Sequence, residues 1–255
     1  MQRHALYSQL AEYYDKFYWS KDYGREVDFL VGVFDRYGAK VHDILEVACG
    51  TGNHTKLLAA KGYHVTGVDI SEDVLRVARR KLGRRANFVQ GDMRDLNAVL
   101  PGETYDAVVC LFSSISYNRT SSDLKKTLRG MYDHTRPGGV VAFDTPFTKQ
   151  GFVDGYRGED IFDDGRMMGA RLGVSTRKED SGEIAFSYLI KDGPETIVLR
   201  NDVHRLGLFS KGDFQLQMRE VGFTKLRVFT DWDLHGKAKP VLFSDTIFVG
   251  IRPQA

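Results

Sequence analysis

The feature that most constrains this chain is the alternation of apolar, strand-like runs with helix-like segments over residues 41–144. Buried strands are predicted at residues 41–48, 63–70, 86–89, 105–112 and 140–144. This alternation predicts a parallel, doubly wound α/β sheet with right-handed crossovers. Such sheets bind ligands beyond the carboxyl ends of their strands, so the residues that follow each strand are the first candidates for a site.

The regions on either side of this core follow other patterns. Tyrosine-rich spacing predicts one amphipathic helix at residues 4–19, and a second helix is predicted at 25–37, ended by Gly38. Three antiparallel strands are then predicted at residues 167–177, 183–191 and 195–209. The chain is completed by a helix capped by Ser210, which runs to Val221, and by two strands at residues 225–232 and 243–251.

Composition narrows the class of protein. A chain of 255 residues with 42% hydrophobic residues fits one large α/β domain. The net charge of +2 and the lack of a clustered basic face argue against nucleic acid as a partner. Cys49 and Cys110 both end apolar runs, so buried thiols in a reducing compartment are expected. With no apolar span long enough for a membrane, the expected location is the cytoplasm.

The strongest site signal is the glycine loop that follows the first strand. Gly50 and Gly52 allow a sharp turn and the close approach of a ligand, and the next helix begins directly behind them. A dinucleotide site needs a third glycine where this chain has Thr55. Neither a phosphate-loop lysine motif nor a paired metal-ligand spacing among the seven histidines is present, and no metal is expected.

Acidic residues surround this loop in the predicted sheet. Glu46 lies within the first strand, Asp69 ends the second, and Asp92 follows the third. An acidic pocket suits a ligand with hydroxyl and cationic groups, and S-adenosylmethionine carries ribose hydroxyls, an ammonium and a sulfonium. We therefore expect Asp69 to accept from the ribose, Asp92 to accept from the adenine amino group, and Met93 to pack on the adenine ring.

Four motifs in this order resemble the class I S-adenosylmethionine-dependent methyltransferases. They are Glu-Val-Ala-Cys-Gly-Thr-Gly at 46–52, the acid at 69, Gly-Asp-Met at 91–93 and Arg-Pro-Gly-Gly at 136–139. The resemblance implies a Rossmann-like, seven-stranded sheet whose last strand is antiparallel. It also implies cofactor contacts from Glu46, Ala48, Cys49, Gly50, Gly52, Asp69, Ile70, Asp92, Met93 and Leu111.

A narrower resemblance covers most of the chain. Lys-Asp-Tyr at 21–23, Phe-Ser-Ser-Ile at 112–115 and the 204–209 segment are similar to N,N-dimethyltransferases of nucleotide-linked amino sugars and to related small-molecule N-methyltransferases. This match implies two further cofactor contacts, from Tyr14 and Tyr23. On the acceptor side the candidate catalytic residues are Tyr117, Tyr7 and His204.

The resulting prediction is methyl transfer to a small-molecule acceptor, most simply an amine nitrogen and possibly an amino sugar. The reaction is expected to depend on in-line displacement, proximity and orientation, without a metal or a strong base. One domain is expected over residues 1–255, with 1–38 as a helical cap, 150–209 as a β insertion or lid over the acceptor site, and a homodimer as a possible assembly. The alternatives are an RNA or protein methyltransferase, a noncatalytic S-adenosylmethionine-binding module and a nucleotide-dependent oxidoreductase.

Overall fold

The computed structural model describes residues 4–37, 40–235 and 244–254, and its core is a seven-stranded sheet. In chain order the strands are β1 (Asp43–Val47), β2 (His64–Asp69), β3 (Asn87–Gln90), β4 (Tyr105–Cys110), β5 (Thr135–Thr145) and two C-terminal strands. Four strands of a separate sheet lie between β5 and these two C-terminal strands, which are therefore β10 (Thr224–Thr230) and β11 (Thr246–Ile251). Across the sheet the order is β10-β11-β5-β4-β1-β2-β3.

The strand directions confirm the predicted fold class. β1 pairs in parallel with both β2 and β4, and β4 pairs in parallel with β5. β11 alone runs antiparallel, between β5 and β10. The order reverses at β1, which has β2 on one side and β4 on the other, so a crevice is expected beyond the carboxyl ends of β1 and β4.

Both faces of the sheet are covered by apolar helix faces. One core cluster joins α2 (Tyr23–Tyr37) to the sheet through Leu30 and Val33, which are fully buried against Ile44. The opposite cluster joins α6 (Ser121–His134) and α7 (Lys211–Val221) to β5 and β11. The remaining helices are α1 (Tyr14–Phe17), α3 (Asn53–Ala60), α4 (Glu72–Leu82) and α5 (Leu96–Val99).

The N-terminal prediction of a single helix over residues 4–19 is wrong. The segment forms three short helical turns, Ala5–Tyr7, Ala11–Tyr13 and α1; an irregular backbone at Ser8 follows the first turn, and the second turn runs directly into α1. The Tyr7 carbonyl accepts from the hydroxyl of Ser71, which lies outside the segment. A continuous helix would use that carbonyl for its own backbone hydrogen bond.

The predicted antiparallel insertion is a four-stranded sheet. Its strands are β6 (Arg157–Asp163), β7 (Met167–Lys178), β8 (Ser181–Asp192) and β9 (Glu195–Gly207), paired in chain order. β6 was missing from the sequence prediction, because an edge strand of alternating charged residues carries a weak apolar signal. Phe162 is its one buried apolar side chain, and it packs on Phe17 of the N-terminal segment.

Side-chain caps fix the beginning of two helices. As predicted, Ser210 caps α7, in a reciprocal capping box with Asp213, and Gly222 follows the end of this helix. α6 is capped by Thr120, whose hydroxyl accepts from the Asp123 amide. Ser71 precedes α4 but makes no capping bond, since its hydroxyl is directed to the N-terminal segment.

Two sequence predictions fall outside the described residues: the helix stop at Gly38 and the beginning of the last strand at residue 243. Within the described part of the chain, no helix is both long and apolar enough to cross a membrane.

Candidate active site

A cavity of about 490 Å³ lies at the carboxyl ends of β1, β2 and β4. Its walls come from the glycine loop, the ends of three strands and the N-terminal segment. Sequence analysis predicted these wall residues as cofactor contacts: Tyr14, Tyr23, Glu46, Ala48, Cys49, Gly50, Asp69, Ile70, Asp92, Met93 and Leu111. The cavity volume is typical of sites that bind small molecules and cofactors.

The glycine loop is held by the carboxylate at the end of β2. Asp69 accepts hydrogen bonds from the backbone amides of Gly50 and Ser71, both at 2.9 Å. Each carboxylate oxygen keeps a further lone pair for a ligand. Burial raises the pKa of Asp69, although the backbone amides oppose this shift.

Gly50 and Gly52 have different roles. Gly50 has a φ of +56°, and a Cβ there would meet nothing within 4 Å, because the position opens onto the cavity. Gly52 was predicted to line the site but does not. Its Cβ position faces α4 instead, 3.3 Å from Leu82 and 3.4 Å from Ala78, so this glycine allows loop and helix to pack closely.

A buried ionic chain lies beneath the loop. Lys21 pairs with Glu26, and Glu26 Oε2 lies 2.5 Å from Nε2 of His54. The other ring nitrogen of His54 lies 3.7 Å from Glu46, which also accepts from the Thr55 hydroxyl. Burial raises the pKa of Glu46. Burial also disfavours ionised Glu26, but its bond to His54 brings the pKa of Glu26 below its usual value.

The third acidic residue of the predicted site is already paired. Burial opposes ionisation of Asp92, but hydrogen bonds from Arg94 lower the pKa of this carboxyl. Arg94, Arg119 and Arg205 also line the cavity. The site therefore has mixed charge, whereas the sequence predicted an acidic pocket.

A second cavity, of about 440 Å³, adjoins the first beneath the four-stranded sheet. Tyr7, Phe112 and Tyr117 line both cavities. The second cavity is bounded by aromatic rings and by several charged side chains: Tyr18, Phe147, Phe152, Tyr156, Phe186, Glu159, Asp160, Arg171 and Asp245. His204, the third predicted catalytic residue, lies in this second cavity only.

The wall between the cavities is a constrained piece of backbone. Phe112 and Ser113 lie two and three residues beyond the end of β4, and both have left-handed φ angles, +56° and +63°. The buried Asp144 holds this turn by accepting from the Ser113 amide at 3.1 Å. Burial raises the pKa of Asp144 well above its usual value. Consecutive non-glycine residues in this conformation are uncommon and concentrate at functional sites.

Arg171 links the four-stranded sheet to the N-terminal segment. Arg171 is 5% exposed and donates from Nε and Nη2 to one oxygen of Asp160. Its third nitrogen donates to the Tyr18 hydroxyl at 2.7 Å. The guanidinium also lies 4.7 Å from the Tyr18 ring centroid and 4.8 Å from that of Phe186. One buried cation therefore joins two distant parts of the chain.

His4, Asp202 and His204 are the described residues whose possible metal-ligating atoms lie within 4.8 Å of one another. Their arrangement does not converge on a metal. The two imidazoles are stacked, with centroids 4.0 Å apart and planes 24° apart, so their in-plane lone pairs run side by side. Both nitrogens of His204 also have partners, Tyr117 and Asp202.

These walls also contain residues that the sequence did not indicate, notably His54 and Arg171. His54 lies two residues beyond Gly52, just after the glycine loop motif, and this position was a usable signal. Arg171 offered no such signal, because it lies far along the chain in a strand that also carries exposed residues.

Comparison with known proteins agrees with this geometry. A family model described as a methyltransferase domain matches residues 44–139. A dTDP-3-amino-3,4,6-trideoxy-alpha-D-glucopyranose N,N-dimethyltransferase from Streptomyces venezuelae is 31% identical over 215 residues, or 83% of this chain and 89% of the relative.

Solved structures give the same result. DesVI from Streptomyces venezuelae is similar at a TM-score of 0.82 and 28% identity, covering 96% of this chain and 98% of that one. CalS10 from Micromonospora echinaspora, an amino pentose methyltransferase solved with S-adenosylmethionine bound, has a TM-score of 0.76 at 25% identity. It covers 91% of this chain and 92% of its own.

Proposed function

Because the chain belongs to the class I S-adenosylmethionine-dependent methyltransferases, we propose that it methylates the amino group of a small molecule, with amino sugars as the acceptor class. The observation that carries the proposal is the pair of adjoining cavities, which share Tyr7, Phe112 and Tyr117. One cavity has the strand-end position of a cofactor site, and the other has the volume of a metabolite.

The first cavity suits the cofactor. Asp69 has lone pairs for ribose hydroxyls, and Gly50 leaves space where any side chain would intrude. Glu46 and the buried chain beneath it place carboxylates next to the loop, where an ammonium group gains from them. When bound, S-adenosylmethionine supplies a methyl group on a positively charged sulfur.

The second cavity suits a small amine with a sugar-like body. Aromatic rings such as Tyr156 and Phe186 offer flat apolar faces, while Glu159 and Asp245 offer oxygens to hydroxyl and amino groups. A volume of about 440 Å³ under a covering sheet favours a metabolite over a folded RNA or a protein. The named relative acts on an amino sugar, which supports the same class here.

We further propose that residues 1–38 and 150–209 act as cap and lid over the acceptor. Contacts between the two segments support this: Arg171 holds Tyr18, and Phe162 packs on Phe17. Excluding water strengthens the electrostatics of the site and fixes the amine near the reacting carbon. Such orientation supplies about 7–11 kcal/mol of the barrier in favourable intramolecular reactions.

A labelled-methyl assay tests the proposal. The protein is incubated with methyl-labelled S-adenosylmethionine and one acceptor in each reaction. The acceptors are dTDP-3-amino-3,4,6-trideoxy-alpha-D-glucopyranose, glycine and a mixed RNA transcript. We expect label in the amino sugar. The proposal that the protein methylates the amino group of an amino sugar would be rejected by either of two results. One is label in RNA alone, and the other is label in none of the acceptors although the cofactor binds.

Tyr117→Phe tests the acceptor side of the site. Removing one hydroxyl from the shared wall should lower the methylation rate at least tenfold, since a positioned proton-transfer group contributes about 10²–10⁴-fold. Cofactor affinity, measured by calorimetry, should stay within about twofold, because the variant retains the aromatic ring at position 117. An unchanged rate would remove Tyr117 from the mechanism.

A further inference from the structure

Four polar side chains form a continuous chain from the shared wall to the inner face of β9. The hydroxyl oxygens of Tyr7 and Tyr117 are 3.0 Å apart. The Tyr117 hydroxyl lies 2.5 Å from Nδ1 of His204, whose Nε2 lies 3.2 Å from Asp202. Asp202 and His204 are 8% and 4% exposed, so solvent contributes little to this arrangement.

A β-bulge brings Asp202 and His204 to this face. In the first half of β9, Ile197 and Leu199 are the less exposed residues, and their neighbours face solvent. Asn201 then adopts a left-handed φ of +58°, where the pairing with β8 shifts register. Before this point the less exposed residues have odd numbers, and beyond it the buried residues 202, 204 and 206 have even numbers. Bulges that redirect side chains in this way are common beside active sites.

The hydrogen bonds of this chain have one consistent direction. Burial disfavours ionised Asp202, but His204 and His4 outweigh it and hold the pKa of this carboxyl well below its usual range. Ionised Asp202 can only accept, so Nε2 of His204 carries the proton. Burial also lowers the pKa of His204, so the neutral ring has Nδ1 free to accept from Tyr117.

The direction extends to the cavity wall. If Tyr117 donates to His204, its oxygen accepts from the Tyr7 hydroxyl. The Tyr7 oxygen is then left as an acceptor at the wall shared by both cavities. Burial raises the pKa of Tyr7 and of Tyr117, so both phenols stay protonated and can pass a proton without becoming stable anions.

We infer that Asp202 is a positioning residue that fixes the His204 tautomer, and that the Tyr7–Tyr117–His204 chain takes a proton from the bound acceptor ammonium. The inference rests on the proposed amine methylation. An ammonium has no lone pair with which to attack a methyl carbon, so each methylation of a protonated amine needs one deprotonation. The chain supplies that step from inside a covered cavity.

The proton transfer balances along the chain. An N–H bond of the ammonium breaks, and its electron pair stays on nitrogen as the nucleophile. A proton is gained by the Tyr7 oxygen as its own proton passes to Tyr117, and the proton of Tyr117 passes to Nδ1 of His204. The resulting imidazolium is paired with Asp202. This is the logic of a base that is oriented by a third group.

Charged and titratable neighbours set how readily His204 holds the proton. Asp202 on the same strand favours it, as a carboxylate partner. His4 stacks on the ring from the N-terminal segment, and the positive charge of Arg171 on β7 acts on it as well; both disfavour a second charge. Tyr117, Tyr7 and Tyr188 complete the titratable surroundings. Opposed influences of this kind suit a proton acceptor that must also release its proton.

The test combines a tautomer measurement with turnover. Long-range ¹⁵N NMR on histidine-labelled protein, assigned with His204→Gln, should show a neutral Nε2–H ring at pH 7.5 without any acceptor present. Asp202→Asn should lose that single tautomer. With the dTDP amino sugar used above, the single-turnover rate of Asp202→Asn should fall about a hundredfold or more. Cofactor affinity and thermal unfolding temperature identify a variant that has merely lost its fold.

Two further variants keep the test decisive. Asp163→Asn, an exposed strand position on β6, should behave as wild type in every measurement. Tyr117→Phe breaks the chain above His204, so it should keep the Nε2–H tautomer while losing rate. The double variant with Asp202→Asn should be no slower than the worse single variant, because the residues act as one unit.

The outcomes separate the two proposals. No methylation of the amino sugar or of glycine by the wild type, with the Nε2–H tautomer present, would reject the proposed function but leave the direction set by Asp202 intact. Turnover together with an Nδ1–H ring would overturn the inference. An Asp202→Asn rate within threefold of wild type, or rate losses that multiply in the double variant, would overturn it too.

Discussion

The two adjoining cavities are built in different ways. In the cavity proposed for the cofactor, here the cofactor half, Asp69 accepts from backbone amides 19 and 2 residues away, at the ends of neighbouring strands. In the cavity proposed for the acceptor, here the acceptor half, Asp202 accepts from the Ala5 amide 197 residues away, and Arg171 donates to Tyr18 across 153 residues. The first half is made of strand ends and a loop, and the second is made by bringing the N-terminal segment against a separate sheet.

This difference has a physical consequence. Backbone amides exist at every residue except proline, so the cofactor half depends on chain geometry and on one carboxylate. The acceptor half depends on particular side chains, each of which satisfies a buried partner. Such networks fail when one member is removed, because the remaining group stays buried without its bond.

Asp69→Ala should weaken cofactor binding most. The change leaves the amides of Gly50 and Ser71 without their acceptor and removes the carboxylate that we propose binds the ribose. A loss of about 2–4 kcal/mol corresponds to an increase in Kd of about 30- to 1,000-fold, measured by calorimetry with S-adenosylmethionine. Asp73→Ala, on the adjoining helix in an exposed pair with Arg76, is the matched control. An equal effect of both variants would contradict the prediction.

Arg171→Met should affect the acceptor half alone. The variant loses the bonds to Asp160 and Tyr18 and the cation–aromatic contacts. Because Asp160 is 41% exposed and solvent screens the pair, the expected loss in unfolding free energy is about 1–3 kcal/mol. Urea unfolding measures it, and Arg157→Met on β6 is the control. If the Kd for the cofactor changed by more than about threefold, the cofactor half and the acceptor half would not be independent.

The stability supplied by Asp202 should depend on pH. The pKa of this carboxyl is lowered in the folded state, so its stabilising contribution is complete above the unfolded pKa of about 3.9 and is lost as pH falls through the folded value. Wild type and Asp202→Asn should therefore differ in unfolding free energy by about 2 kcal/mol at pH 5 and by less at pH 3. A gap that widens on acidification would refute the assigned direction.

The bulge at Asn201 should give the smallest effect. Valine is disfavoured at φ +58°, so Asn201→Val should lower the unfolding free energy by about 1–2 kcal/mol. Glycine tolerates this conformation, and Asn201→Gly should stay within about 0.5 kcal/mol of wild type. If both variants unfold alike, the bulge does not rely on the left-handed residue.

The prediction from sequence was accurate where the local signal was dense. The five parallel strands, the glycine loop and the Ser210 cap follow from apolar runs, φ requirements and capping chemistry that neighbouring residues supply. The 4–19 helix was wrong because helical spacing of tyrosines also suits three short turns packed against another sheet. β6 was missed because its strand pairing, more than its composition, keeps it extended.

Within the site the same division holds. Glu46, Gly50 and Asp69 could be named from motif spacing, because their roles belong to strand ends whose positions the alternation dictates. The pairing of Asp92 with Arg94 is local, yet it was overlooked in favour of a ligand role. Glu26 gave no signal on an amphipathic helix, since only its packing against His54 distinguishes it from a surface carboxylate.

The sequence by itself determined the doubly wound sheet, the position of the cofactor loop and the chemistry of its cofactor, because these depend on periodicity and on residues close together in the chain. Only the tertiary structure decided that Tyr7, Tyr117, His204 and Asp202 lie within hydrogen-bonding distance of one another in one chain. Contacts across nearly two hundred residues depend on how one sheet packs over another. The parity of β9 depends on a bulge at Asn201, and neither is encoded in a local pattern.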